Sequence, residues 1–382
     1  MSRIDDLITE LAPKGVEFRP LSDLLDYAQP TKYLVASTDY SDSFPTPVLT
    51  AGQTFILGYT AEPHGIYPAS PERPVVIFDD FTTAFKWVDF PFKAKSSAMK
   101  MLTPSPGAAV DFRFVYYAML CIGFTPQEHA RHWIGQYSNF RIPVPPLGVQ
   151  QEIVRILDNF TELEAELEAE LEARRQQYSH YRDLLLSFEN QDVSWMTLGD
   201  LGKVSMCKRI FKDETTSEGD IPFYKIGTFG ATPDAFISRT LYNDYRARYS
   251  FPKKGDVLIS AAGTIGRAIP YDGEPAYFQD SNIVWIDNDE TLVTNAYLRY
   301  WYRVVEWKTD SGTIQRLYNE NLRRAKIAVP SKVEQERIVS ILDKFDALVS
   351  DRSTGLPAEL TARRKQYGYY RDRLLTFEEA VA

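Results

Sequence analysis

The side chains with the most chemical potential in this sequence are polar groups at the ends of apolar runs. One set comprises Thr50, Gln53 and Thr54 around Gly52, then Thr82 and Thr83, then Lys93, Lys95, Ser96, Ser97 and Lys100. A second set comprises Lys208, Arg209 and Lys212, followed by a run from Tyr242 to Tyr249 that interleaves aromatics with Arg246 and Arg248. Thr264, Arg267, Arg316, Asn319, Asn321, Arg323 and Arg324 complete it. Arginine can grip guanine edges and Asn or Gln adenine edges, whereas Lys, Ser and Thr mostly hold phosphate oxygens. Such a mixture serves contact with nucleic acid. Any one of these residues is an ordinary surface polar group, so the inference rests on the clusters.

Catalytic constellations are missing. No glycine-rich loop ends in Gly-Lys-Ser/Thr, and Gly227-Thr228-Phe229-Gly230 and Gly263-Thr264-Ile265-Gly266 lack the third glycine of a dinucleotide fingerprint. They read as strand-to-turn glycines. Asp79-Asp80 would be paired carboxylates, but the matching loop further along is Ala261-Ala262, so loop capping is the better reading. Cys121 and Cys207 are the only cysteines, and His64, His129, His132 and His180 show no ligand spacing, so neither a disulfide framework nor a metal site is expected.

These polar tips need elements to hold them, and the chain supplies those elements twice. Gln150-Gln151-Glu152-Ile153-Val154-Arg155-Ile156-Leu157-Asp158-Asn159-Phe160 returns as Gln335-Glu336-Arg337-Ile338-Val339-Ser340-Ile341-Leu342-Asp343-Lys344-Phe345. Ala173 to Tyr178 with Tyr181-Arg182-Asp183 returns as Ala362 to Tyr367 with Tyr370-Arg371-Asp372. So long a period excludes a solenoid and predicts two globular domains, each followed by the same long helix. The domains share a grammar. Pro47–Gly52 matches Pro222–Gly227, and the buried strand Pro74–Phe78 matches Gly255–Ser260. Ser96–Met101 falls opposite Ser281–Ile286, and the apolar stretches from Phe112 to Ile122 and from Ala296 to Trp307 are expected helices. Phe85–Phe90 alternates as a strand should, and residues 2–12 predict a short amphipathic helix. The framework matches while the loops differ, which suggests one job done on two targets.

In the first long helix Ile153, Ile156, Leu157, Phe160, Leu163, Leu167, Leu171 and Tyr178 recur at threes and fours from Leu147 towards Phe188. A continuous helix over that stretch would run roughly 63 Å at 1.5 Å per residue. So long a stripe needs a partner, and Ile338, Ile341, Leu342, Phe345 and Tyr367 of the second copy supply it. Gly355-Leu356-Pro357 should end one helix and start another. Two like helices leaving two like domains imply an α+β fold with pseudo-two-fold, antiparallel packing of the helices. The expected divisions are 1–145, 146–190, 191–330 and 331–382. Inside the first helix stand three tetrads, Thr161–Glu164, Ala165–Glu168 and Ala169–Glu172. Their glutamates form a solvated acidic face, a docking face for a basic partner, or partners for Arg363, Arg364 and Arg371.

The bulk composition fits. A chain of 382 residues that is 44% hydrophobic and 25% charged is ordinary globular material. The net charge of −9 is concentrated, because residues 151–190 alone carry 10 acidic and 4 basic side chains. The globular parts are therefore near neutral, which permits a local basic face. No membrane span and no apolar leader are expected, and the cytoplasm is the expected location.

On these features the chain resembles the specificity (S) subunit of type I restriction-modification systems, most of all the subgroup with central tetrapeptide repeats. The repeated Ile-Leu-Asp helices, the paired Arg-Arg-x-Gln-Tyr and Tyr-Arg-Asp blocks, Ile77–Thr83 with Phe92–Met99, and Lys254–Ser260 carry that resemblance. It implies two target-recognition domains, each reading one half of a bipartite asymmetric site in double-stranded DNA. The helices would form a coiled-coil spacer that docks two modification (M) subunits, and restriction (R) subunits would join that core. S-adenosylmethionine, ATP and Mg would be bound on those partners, with no cofactor and no catalytic site on this chain. Two rival readings remain: a stand-alone enzyme, for which no motif is found, and a coiled-coil adaptor or non-specific DNA-binding scaffold.

Overall fold

The computed structural model describes all residues except 1–5, 7, 8, 11, 53, 127–129, 189–191, 310–314, 352, 381 and 382. It is an α+β chain that divides into two compact units, residues 1–167 with 360–382, and residues 168–359. Of the amphipathic helix expected over 2–12, Asp6, Thr9 and Glu10 are helical, and Ile4, Leu7, Ile8 and Leu11 lie outside the described residues.

In the first unit, Glu17–Pro20 pairs antiparallel with Arg141–Val144, so the chain enters and leaves the domain side by side. Between them stands a four-stranded antiparallel sheet in the order Leu25–Ala28, Met99–Pro104, Val75–Asp79, Phe85–Val88. A three-stranded sheet follows the order Ile56–Thr60, Thr46–Leu49, Lys93–Ala94. The unbroken apolar run Val75–Phe78 is explained by burial on both faces. Val76 and Phe78 pack with the helix Phe112–Met119 and with Val149, Ile153 and Leu157 of the long helix. Val75 and Ile77 pack with Leu49, Ala51, Phe92 and Ala94.

The second unit repeats this topology strand for strand. Ser194–Thr197 pairs with Lys326–Val329. The four-stranded order is Gly202–Ser205, Ile283–Asn288, Val257–Ser260, Ala268–Pro270, and the three-stranded order is Phe236–Ile237, Ile221–Tyr224, Tyr277–Phe278. Each matching pair of strands read from the sequence occupies the same place in its sheet. The units differ at Arg239–Arg248, which is helical in the second unit, with Ser238 Oγ capping Leu241 N. The first unit has no helix at that point of its strand order. The helix Asn295–Trp301 is shorter than its apolar run, because after Trp301 the backbone turns through bonds from Val304 and Val305 to the Trp301 carbonyl.

The long helix spans Leu147–Leu185, 39 residues and ~58 Å at 1.5 Å per residue. It ends short of Phe188, which turns inward with its ring 6.2 Å from Trp301. The later helices span Lys332–Ser350 and Leu356–Leu374, with the break where Gly355 stands. A Cβ on Gly355 would lie 2.5 Å from the Ala347 carbonyl oxygen, so only glycine lets the chain turn this tightly against the end of the preceding helix. Along the stripe, Ile153, Leu157, Ile338 and Leu342 are fully buried, Leu171 and Tyr178 nearly so. Ile156, Phe160, Leu167, Ile341, Phe345 and Tyr367 are half-buried, and Leu163 is 46% exposed.

Each unit fastens its domain to its helix through the same two side chains. Gln150 and Gln335 are fully buried. Gln150 Oε1 accepts from Asp111 N at 2.8 Å while its Nε2 donates to the Pro145 carbonyl at 2.7 Å. Gln335 Oε1 accepts from Thr294 N at 2.9 Å while its Nε2 donates to the Leu292 and Pro330 carbonyls. Two turns on, Asp158 accepts from the Tyr117 hydroxyl and from Arg113 Nε, and Asp343 accepts from the Tyr300 hydroxyl and from Arg299.

Because the buried Gln335 side chain satisfies three part-buried backbone groups, replacing it with leucine removes all three partners. Q335L is expected to cost roughly 2–4 kcal/mol, seen as a lowered thermal unfolding midpoint. Replacement of the exposed neighbour Glu336 by leucine should leave that midpoint nearly unchanged, and equal effects of the two would remove the amide joint from this account.

Candidate nucleic-acid interface

In the first unit three loops meet at one end of the sheets. The first follows Thr46–Leu49, where Thr50 Oγ1 donates to the Thr54 carbonyl at 2.6 Å and accepts from Gly52 N. Thr54 is exposed, and Gln53 lies outside the described residues. The second follows Val75–Asp79. Asp79 Oδ1 accepts from Phe81 N and Thr82 N, which is loop capping of the kind expected for this pair. Thr82 is exposed, while Thr83 is buried with φ of 58°. The third precedes Met99–Pro104. Ser96 Oγ accepts from Ala98 N at 3.1 Å, and Lys95 Nζ donates to the Tyr40 hydroxyl at 3.1 Å. Backbone bonds from Lys95 N to the Leu49 carbonyl and from Asp80 N to the Ala98 carbonyl tie the loops together.

Lys93 and Lys100 do not reach this rim. Lys93 is buried, 2.9 Å from Glu62, and donates to the His64 carbonyl. The Ser37 amide, Lys93 and the Ala36 amide together hold the Glu62 carboxyl below the usual range. Lys100 is 1% exposed, with its ammonium 3.3 Å from the equally buried Asp80 carboxylate and over the Tyr27 ring. Asp80 also accepts from Trp133 N at 2.8 Å, and its carbonyl accepts from His132 N. By sheet register the second unit has Ala261 in place of Asp80 and Val284 in place of Lys100.

In the second unit the polar groups fall around two clefts. One, of about 640 Å³, is lined by Arg209, Lys212, Thr215, Gln279, Asn282 and Arg316, among others. Arg316 donates to Asn282 Oδ1 at 3.1 Å, and Arg209 pairs with Asp280 at 2.9 Å. The other, of about 240 Å³, is bordered by Gly227, Gly263, Thr264 and Arg267. Arg267 donates to the Phe229 carbonyl, and Gly263 and Gly266 have positive φ, as strand-to-turn glycines require. Gln279 Oε1 accepts from Ile226 N and so joins the two clefts. Lys225, Gln279 and Asn282, which line the larger cleft, were not singled out in the sequence, because nothing local marks a cleft residue.

The remaining predicted positions lie on other elements. Lys208 sits over the Tyr249 ring, and Arg248 pairs with Asp244 one helical turn away. Tyr242 is buried, with Arg246 donating to its hydroxyl and covering Phe251. Asn319 and Arg323 belong to the short helix Asn319–Arg324, and Arg323 packs beside Gly199.

A family model described as the type I restriction modification DNA specificity domain matches residues 82–173 and 190–362. The chain belongs to this family, that of type I specificity subunits. It is 42% identical to the Escherichia coli type I restriction enzyme EcoR124I/EcoR124II specificity subunit, over 99% of this chain and 98% of that one. It is 43% identical to a Haemophilus influenzae protein provisionally named a type I restriction enzyme specificity subunit, over 95% and 96% of the two chains. The crystal structure of a type I S subunit from M. genitalium superposes with a TM-score of 0.56 at 16% identity, covering 94% of this chain and 96% of that one, which shows a shared fold. Among the described residues no helix is long and apolar enough to cross a membrane.

The buried Lys100–Asp80 pair can be tested against its apolar counterpart in the second unit. K100V or D80A alone leaves an uncompensated buried charge and should cost roughly 3–5 kcal/mol. The double variant D80A/K100V copies Ala261 and Val284 and should recover most of that loss in thermal unfolding. Additive losses would show that the pair is not self-contained.

Proposed function

We propose that this chain is the DNA sequence-recognition subunit of a type I restriction-modification complex. Residues 1–145 and 191–330 are its target-recognition domains, each reading one half of a bipartite asymmetric site. The helical segments 146–190 and 331–382 form an antiparallel coiled-coil spacer with a pseudo-two-fold relation, and they dock two adenine-modifying M subunits. R subunits join that core, and the catalytic groups and their cofactors reside on the partners. The observation that carries this reading is the duplication itself. Two units share strand order, sheet register and helix joints, yet carry different side chains on their loop rims. A scaffold held constant with two different rims is what reading two different half-sites requires.

The helices support the spacer role. In the first unit Phe160 stacks on Tyr370 with centroids 5.5 Å apart, and Glu164 pairs with Arg364 at 2.6 Å. These contacts run antiparallel along the two helices. In the second unit Phe345 stacks on Tyr181 at 5.5 Å. By repeat position Phe160 matches Phe345 and Tyr370 matches Tyr181, so each unit builds the same aromatic contact from opposite repeats.

Anisotropy titrations of the chain with its M partners should show preference for a duplex carrying the site mapped by methylome sequencing over a scrambled one. Salt-sensitive binding that ignores sequence would favour the adaptor or scaffold reading. A second test addresses the tetrads. Deleting Ala165–Glu168 removes one tetrad, ~6 Å of helix. B-DNA advances about 3.4 Å per base pair, so the unread gap between half-sites should shorten by one or two base pairs. Methylome sequencing of cells carrying the deletion reads the gap directly, and an unchanged gap would sink the spacer role of the tetrads.

A further inference from the structure

The two rims differ in most side chains, and besides the serine shared by Ser97 and Ser281 one arginine persists. In the first unit His132 N donates to the Asp80 carbonyl at 2.8 Å, and in the second Leu317 N donates to the Ala261 carbonyl at 2.8 Å. Asp80 N in turn donates to the Ala98 carbonyl, and Ala261 N donates to the Asn282 carbonyl. These four bonds place His132 and Leu317 at one topological position, and the residue before each is an arginine, Arg131 and Arg316. Around them the chemistry changes: Asp80 becomes Ala261, Lys100 becomes Val284, Ala98 becomes Asn282 and Trp133 becomes Tyr318.

Arg131 is exposed, and among the described residues it has no acidic partner. Its backbone is nonetheless fixed, because the next two amides bind Asp80, which Lys100 braces from beneath. It stands on the rim that carries Ser96, Ser97 and Lys95. Arg316 lines the larger cleft of the second unit.

We propose that Arg131 and Arg316 are an equivalent pair of phosphate clamps, one in each domain, that set the register of the duplex on each rim. This inference rests on the reading of the chain as a DNA-recognition subunit. What differs between two half-sites is the bases, and what is common is the sugar-phosphate backbone. A group held constant while its neighbours diverge matches the common feature. The guanidinium suits it, offering a fixed fork of N–H donors to two phosphate oxygens. Base discrimination then falls to divergent neighbours, such as Asn282 and Gln279 in the second domain, which stand where the first has Ala98 and Lys95.

The test uses the full chain with its M partners, titrated by anisotropy across a salt series. The duplexes carry the mapped site, a single mismatch in either half, or a scrambled sequence. R131A and R316A should each reduce the slope of log K against log salt by about 0.9, and the double variant by about twice that. Each should weaken matched and mismatched duplexes by the same factor. R131K and R316K, which keep the charge, should restore the slope, and a merely structural role would not give that rescue. R131Q and R316Q serve as second neutral variants should the alanine forms melt early. An unchanged slope overturns the proposal, and so does a loss of discrimination confined to one half-site, which would make the arginine a base reader. If the unsubstituted complex binds matched and scrambled duplexes equally, sequence recognition itself fails while the slopes still decide the clamps.

Discussion

The structure depends on a small number of buried polar bonds between each domain and its helix. Gln150 and Gln335 have no exposed surface, and each amide serves backbone groups on both sides of it. A buried amide with its partners in place is nearly neutral in energy, while one with a partner missing is expensive. The joint therefore acts chiefly through what breaking it would cost, and it fixes the angle at which the helix leaves the domain. Asp158 and Asp343 add a second point of attachment further along. Burial and the bond to each aspartate push the Tyr117 and Tyr300 phenols well above their ordinary value, so both remain hydrogen-bond donors at neutral pH. The arginines that complete the clamp, Arg113 and Arg299, come from different positions on their helices. The interaction is thus kept even where the residue supplying it is not.

The helices obey a related constraint. A stripe as long as that on Leu147–Leu185 cannot be covered by the neighbouring domain alone. Its first part is covered within the first unit by the helix Leu356–Leu374, and its last part within the second unit by the helix Lys332–Ser350. The break at Gly355 lets one repeat supply both covers. Within that cover Leu163 remains 46% exposed, while Leu171 further along is buried. The tetrad glutamates are not a uniform solvated face either. Glu164 pairs with Arg364, and Glu170 pairs with Arg174 one turn on. Glutamates four residues apart on a helix repel one another, and these cations, on the same and on the partner helix, offset that repulsion.

Much of this framework was legible because the chain prints it twice. A run such as Val75–Phe78 is ambiguous alone, but paired with Val257–Ser260 it becomes a strand in a repeated sheet. The break at Gly355-Leu356-Pro357 was legible from turn chemistry. What could not be read depended on distant partners. Lys93 and Lys100 look like surface cations until Glu62 and Asp80 are brought to them by sheet pairing. The strand Ile56–Thr60 exposes Ile56 and Leu57 and so lacks the expected alternation. The helix Arg239–Arg248 buries only Tyr242, leaving too little periodicity to announce it. The clefts around Arg209, Arg316 and Arg267 are assembled from segments far apart in sequence, and composition carries no record of that assembly.

The comparison of the two rims bears on how such a scaffold can change its target. Beneath the loops, the same pair of sheet positions holds a buried ion pair in one unit and Ala with Val in the other, with the surrounding backbone bonds intact. Replacing a buried ion pair wholesale by apolar groups is tolerable, whereas replacing half of it is not. Divergence at the base of the rim therefore has to proceed by correlated pairs. Divergence at its edge is far less restricted, because exposed loop side chains such as Thr54, Thr82 and Thr264 contribute little to the core. The backbone bonds through Asp80 and Ala261 hold the loops in place regardless of which side chains they carry. A duplicated scaffold of this kind can alter one rim without disturbing the joints at Gln150 and Gln335, and a change in one half leaves the other half's contacts untouched.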